Sequence, residues 1–336
     1  MNRIKNHVFL DILVRNEPEC FMQSWSRRGL CINNCKTQGL TVAKDPLVIY
    51  GEQMGFLAKL AKRFVAGETV ADIIEPVKAL NQDKIAVSLD VLGEDVDNKV
   101  ASQAFAQAYL DLLDTIEEEK LNSNVSLKLT MMGLDLEQDF CLQQVDDIIA
   151  KAKQSNNFVR IDMEGSSHTS KTIAVFEQLF AKHGQSVGIV IQAYLHRSKQ
   201  DIERLAEMGA SVRVCKGAYK ESKHIAYQNM DEIRANYKEL VKILWNKQCK
   251  AAIATHDQEL IDWALSYIKE HKVDKSLYEF QVLYGLRRVT IAQLASEGHP
   301  VRVYVPFGQQ WLPYFVRRLK ERKENIWFVF KGLFES

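Results

Sequence analysis

From residue 85 onward the chain is divided by eight short apolar runs, each closed by a polar or glycine-bearing turn and followed by a helical stretch. The runs cover residues 85–89, 125–129, 158–161, 187–191, 211–215, 251–254, 280–283 and 301–305. Several are too continuously apolar for strands with one wet face, which suits parallel strands covered by helices. Between them lie amphipathic stretches such as 101–118, 142–153 and 231–245. Eight strands alternating with helices make either a closed barrel or an open doubly wound sheet. The open sheet usually carries a glycine-rich first turn, and neither GxGxxG nor GxxxxGK occurs here. The expectation is an α/β fold: a (β/α)8 barrel with a helical N-terminal arm and a C-terminal helix over the barrel mouth.

The residues before the first run read as helical and strand-poor. Apolar residues recur at helical spacing from Phe56 to Val65, and Gly67 stops that helix. Glu68, Thr69 and Val70 then open another, which runs through Ile73, Ile74 and Val77. Two segments are expected, an arm over 1–80 and a catalytic barrel over 81–336. At 336 residues the chain is long enough for such a barrel as one domain.

Charge excludes one class of function. Lys and Arg total 44 against 43 acidic residues, so no net field draws the chain to nucleic acid. The six cysteines include no CxxC pair and read as reduced thiols in a cytoplasmic protein; Cys20, Cys31 and Cys35 lack an evident fourth ligand for a metal. The N-terminus does not read as a secretory signal, because Asp11 interrupts the run Val8, Phe9, Leu10. No eighteen apolar residues run together, so no segment is expected to span a bilayer.

In a β/α barrel the active site lies at the C-terminal ends of the strands. Polar or titratable groups stand at all eight: Asp90, Lys128, Asp162 with Glu164, Gln192, Arg213 with Lys216 and Tyr219, Thr255 with His256, Glu279 with Gln281, and Tyr304. One such residue alone is best read as closing a local ion pair. Eight strands out of eight point to a site, since partly buried polar groups need partners. After the last strand, Tyr314, Arg317, Arg318 and Glu321 share one helix face. The residues alone leave two readings open, a carboxylate clamp made by the paired arginines or a solvated basic patch. His256 has no second histidine at ligand spacing and HExxH is absent, so no metal is expected.

These segments together resemble the proline dehydrogenase family, flavin enzymes that convert L-proline to Δ1-pyrroline-5-carboxylate. The resemblance rests on Phe64 through Thr69, Leu92-Gly93-Glu94, Ser126 through Thr130, Val212 through Tyr219, Ala254-Thr255-His256, Glu279 through Gly285, Tyr304 through Gly308, and Tyr314 through Glu321. It covers roughly residues 55–330, and the first fifty residues have no match. It implies FAD bound noncovalently over the barrel mouth, lined by Gln192, Arg213, Cys215, Lys216, Gly217, Tyr219, Thr255 and His256. It implies a proline site made by Lys128, Asp162, Tyr219, Leu283, Tyr304, Arg317 and Arg318; Asp162, next to Lys128, is expected to hold that lysine in place. Glu94 resembles the partner of Arg317 in a gate over the substrate.

The resemblance further implies a quinone electron acceptor, a downstream pyrroline-5-carboxylate dehydrogenase, and loose peripheral contact with the inner membrane. The apolar tail 326–330 could make that contact, but packing of a final helix on the barrel is the favoured reading. The alternatives are a hydroxyproline or other imino-acid flavin dehydrogenase, and an inactive proline sensor. Lys128, Asp162, Arg317 and Arg318 are all retained, which speaks against the sensor.

Overall fold

The computed structural model describes residues 63–93, 95–312 and 314. All eight expected strands are present within them: β1 (Ala86–Val91), β2 (Ser123–Leu127), β3 (Val159–Ile161), β4 (Val187–Gln192), β5 (Val212–Cys215), β6 (Ala251–Ala254), β7 (Tyr278–Leu283) and β8 (Val301–Phe307). Each pairs in parallel with the next, and β8 pairs with β1, so the sheet closes into a barrel. Helix α1 (Val70–Gln82) precedes β1. The helices that follow β1 to β7 in turn are α2 (Lys99–Glu118), α3 (Gln138–Gln154), α4 (Ser166–His183), α5 (Ser198–Glu207), α6 (Met230–Asn246), α7 (Gln258–His271) and α8 (Arg288–Ser296).

Local chemistry sets the helix starts. Thr69 and Asp72 form a reciprocal capping box on α1. The side chains of Asn98, Asn229 and Asp257 accept from the first-turn amides of α2, α6 and α7. The strands sort their residues by parity. Val87 and Leu89, Val125 and Leu127, Val159 and Ile161, Ile189 and Ile191, Val212 and Val214, and Val303 and Val305 are all buried in the one large apolar cluster between sheet and helices. Tyrosine hydroxyls tie the layers together: Tyr109 on α2 donates to the Ser126 carbonyl at 2.8 Å, and Tyr237 on α6 donates to the Val214 carbonyl at 2.9 Å.

The opposite parity carries Ser88 and Asp90, Asn124 and Ser126, Arg160 and Asp162, Ser211 and Arg213, Glu279 and Gln281, and Arg302 and Tyr304. Side chains of this set bond to each other across non-adjacent strands, a reach available only through the barrel interior. Barrels of this class usually fill that space with branched apolar residues. This interior is polar.

Residues 64–309 form one compact unit. Within it, helix α1 packs with the barrel. Its Ile73 and Val77 join the main apolar cluster, and Asn81 bonds to the Ile85 carbonyl and to the Asn122 backbone at the N-terminal ends of β1 and β2. The rest of the expected arm, 1–62, and the C-terminal helix and tail from 315 lie outside the described residues.

Candidate active site

At the C-terminal end of the barrel two buried charge clusters stand side by side. In the first, the Lys128 ammonium donates to both carboxylate oxygens of Asp90, at 3.0 and 3.1 Å. Register explains the pairing: Asp90 lies opposite Ser126, so Lys128, two residues on, reaches back over the end of β1. Burial raises the Asp90 pKa and the nearby Asp162 carboxylate adds to that, while the Lys128 charge pulls it down.

The second cluster centres on Asp162. One oxygen, Oδ1, accepts from Ser126 Oγ at 2.7 Å and Arg213 Nη1 at 2.8 Å; the other, Oδ2, accepts from the Tyr304 hydroxyl at 2.7 Å. Arg213 also donates through Nε to Gln281 Oε1 at 2.6 Å and through Nη2 to Ser88 Oγ at 3.3 Å. Its guanidinium lies 5.2 Å from the centre of the Tyr304 ring. Burial, with the Asp162 and Asp90 carboxylates, holds the Tyr304 phenol well above its usual pKa, so it remains a donor at any working pH.

Lys128, Asp162, Arg213 and Tyr304 thus come together as the sequence suggests, with one correction. Among the described contacts Lys128 pairs with Asp90, and Asp162 instead anchors Arg213 and Tyr304. Ser88, Ser126 and Gln281 complete the cluster. Their period-two spacing with Asp90, Lys128 and Glu279 is the signal that marks them as one inward-facing set.

A second group lines the rim at β4 to β7. Gln192 bridges the Glu164 carbonyl, at 2.9 Å, and the Ala218 amide, at 3.3 Å. Cys215 ends β5. The Lys216 ammonium lies 3.0 Å from Asp257, whose carboxyl burial would raise but Lys216 and Arg234 hold below its usual range. Gly217 has φ +126°, and a Cβ there would fall 2.3 Å from the Tyr194 ring, so no other residue fits. Tyr219 is half-buried in the turn after β5. Thr255 is buried at the end of β6, and its hydroxyl accepts from the Asp257 amide at 3.1 Å. His256 Nε2 accepts the Leu283 amide proton at 3.0 Å, which fixes a neutral ring with its proton on Nδ1. Leu283 is thereby tied to the rim beside the expected cofactor residues. Glu94, Arg317 and Arg318 lie outside the described residues.

The family model described as proline dehydrogenase matches residues 73–331. The chain is 37% identical to proline dehydrogenase 1 of Bacillus subtilis over 287 residues, 85% of this chain and 93% of that protein. It is also 37% identical to proline dehydrogenase of Deinococcus radiodurans over 303 residues, 88% of this chain and 97% of that one. Among solved structures, proline utilization A (PutA) of Bdellovibrio bacteriovorus, inactivated by N-propargylglycine, superposes with a TM-score of 0.76 at 25% identity over 81% of this chain. The match spans 33% of that longer protein.

Proposed function

The chain belongs to the proline dehydrogenase family, and from that premise we propose that its barrel mouth oxidises L-proline to Δ1-pyrroline-5-carboxylate, the first step of proline catabolism, with FAD as the oxidant. The observation that carries this reading is the Asp162–Arg213–Tyr304 cluster standing beside the Lys128–Asp90 pair at the catalytic end of the barrel.

The rim fits a flavin dinucleotide by the chemistry of its groups. Lys216 offers a cation, the side-chain-free Gly217 leaves its backbone exposed, and Thr255 and His256 present a hydroxyl and a neutral ring. Gln192, Arg213, Cys215, Lys216, Gly217, Tyr219, Thr255 and His256 would hold the group. When bound, FAD would supply the two-electron acceptor for the hydride of proline C5, with a quinone as the onward electron acceptor.

The protein's own residues supply binding and orientation. Lys128 lends positive charge to the pocket, and Arg317 and Arg318 clamp the carboxylate, with Glu94 holding Arg317. The apolar proline ring packs on Tyr219, Leu283 and Tyr304. Asp162 receives donors on both oxygens, so it fixes Arg213 and Tyr304 in place and is not arranged to trade protons itself. The oxidation removes the C5 hydride and the proton on nitrogen, which leaves the C=N bond of the product. Family membership extends to handing that product to a pyrroline-5-carboxylate dehydrogenase. No helix among the described residues is long and apolar enough to cross a membrane, and we propose a cytoplasmic enzyme that meets its quinone at the membrane surface.

The test is the visible spectrum of the pure protein. It should show a bound flavin that L-proline bleaches without oxygen. A colourless protein that FAD cannot reconstitute would end this reading.

A further inference from the structure

The opposite, N-terminal end of the barrel holds a cavity of about 410 Å³, walled by the starts of the strands. Of its ionisable lining groups, Arg160, Lys250 and Arg302 are cationic and Glu279 alone is acidic. Arg302 takes both Glu279 oxygens, at 2.8 and 3.1 Å, while Lys250 stands 3.7 Å off. Three cations thus share one carboxylate, an excess of two positive charges in the lining.

Arg160 is the unusual member. It is 3% exposed, yet it forms no ion pair with any described residue. Its guanidinium donates to the carbonyls of Ile189 and Ser211 and to Ser211 Oγ, and its Nε–H has no partner among the described residues. The placement is built in. The Phe158 ring lies 4.7 Å from the guanidinium, and a Cβ at Gly188 would fall 2.5 Å from Nη1. A buried charge without a counter-ion is costly, and a face that served only stability would be better filled by a neutral side chain.

We propose that this cavity binds a small dianion of the phosphate or dicarboxylate kind, compensating Arg160 and Lys250. Such a ligand would sit at the barrel end remote from proline and would not compete with it. Lys250 is 40% exposed through its side chain and can meet the ligand directly; hydroxyl and amide groups of Ser276 and Asn124 also line the wall.

The experiment titrates the purified full chain by calorimetry with inorganic phosphate and, separately, with succinate, against chloride at matched ionic strength. At least one should bind saturably in the wild type, and whichever binds more tightly identifies the class. Lys250→Met should weaken it about tenfold, the worth of one charged contact, with the circular dichroism spectrum and proline affinity unchanged. Arg160→Gln should abolish it where the variant folds; Lys250→Met decides the matter where it does not. Saturating L-proline should leave the anion affinity untouched. The proposal is overturned if neither anion binds beyond chloride, if Lys250→Met binds as the wild type does, or if proline competes with the anion.

Discussion

The Tyr304 hydroxyl donates a 2.7 Å hydrogen bond to Asp162 Oδ2, joining the middle of β8 to the end of β3 across the barrel. Arg213 closes the triangle, donating to the other oxygen of the same carboxylate while lying against the Tyr304 ring. The ring that faces the proposed substrate is therefore held at its face and at its hydroxyl.

Tyr304→Phe tests that bond by removing only the hydroxyl. Asp162 Oδ2 loses its donor in a buried setting, and the variant should be less stable by about 1–3 kcal/mol. Activity should also fall, because the ring keeps its bulk but loses one of its two restraints. Thermal unfolding and kcat/KM for proline check this. Wild-type values for both would show the hydrogen bond to be incidental.

Lys128 and Asp90 form a buried pair with side chains 8% and 1% exposed. Breaking such a pair from one side costs about 3–5 kcal/mol, since the remaining charge is stranded. Lys128→Met should therefore be strongly destabilised, and Lys128→Met with Asp90→Asn should recover much of the loss. Activity should stay low in both, because the positive charge proposed for substrate binding is gone. Additive stability losses in the double variant would show that the two residues are not coupled.

The barrel was legible because apolar runs and turns recur eight times, and no observed strand end differs from its expected position by more than two residues. Its polar interior was harder to see. Ser88, Ser126 and Gln281 look like ordinary strand residues, and only the closure of the barrel brings Arg213 of β5 within reach of β1, β2, β3 and β7. The choice of Asp90 over Asp162 as partner of Lys128 depends on strand register, which periodicity does not fix. Arg160 was read as part of an apolar run, and its lack of an ion pair among the described residues emerges only in three dimensions. Glu94, Arg317 and Arg318 lie outside the described residues.

Glu279 gives a pH prediction. Burial would raise its pKa, but the Arg302 guanidinium outweighs burial and holds it at about 2, against an ordinary 4.5. A carboxylate with a depressed folded pKa stabilises the protein above its unfolded pKa, and this is lost as pH falls through the folded value. The drop corresponds to about 3 kcal/mol, present at pH 7 and fading between pH 4.5 and 2. Glu279→Gln should thus be less stable than the wild type in urea at pH 7, with the gap narrowing as the pH is lowered below 4.5. A gap independent of pH would mean that the Glu279 charge contributes nothing.

The last prediction is that the enzyme prefers proline to trans-4-hydroxyproline and that Tyr304 is the reason. Its phenol ring is half-buried at the mouth, so part of it faces the proposed substrate pocket. The hydroxyl is already committed to Asp162 and the face to Arg213, so the ring cannot swing aside without breaking both contacts. A 4-hydroxyl on the substrate would meet the carbon edge of this ring and lose its water without gaining a partner. The cost is roughly 1–3 kcal/mol, or about five- to over a hundredfold in kcat/KM. Tyr304→Ser removes the ring and leaves a small hydroxyl. It should lower kcat/KM for proline through lost packing and through the loosening of Asp162, while the penalty on hydroxyproline shrinks. Measuring kcat/KM for both substrates in both proteins isolates the effect, because any general damage to the site cancels in the ratio. An unchanged ratio would remove Tyr304 from substrate selection, and a wild-type preference for hydroxyproline would overturn the choice of proline as substrate.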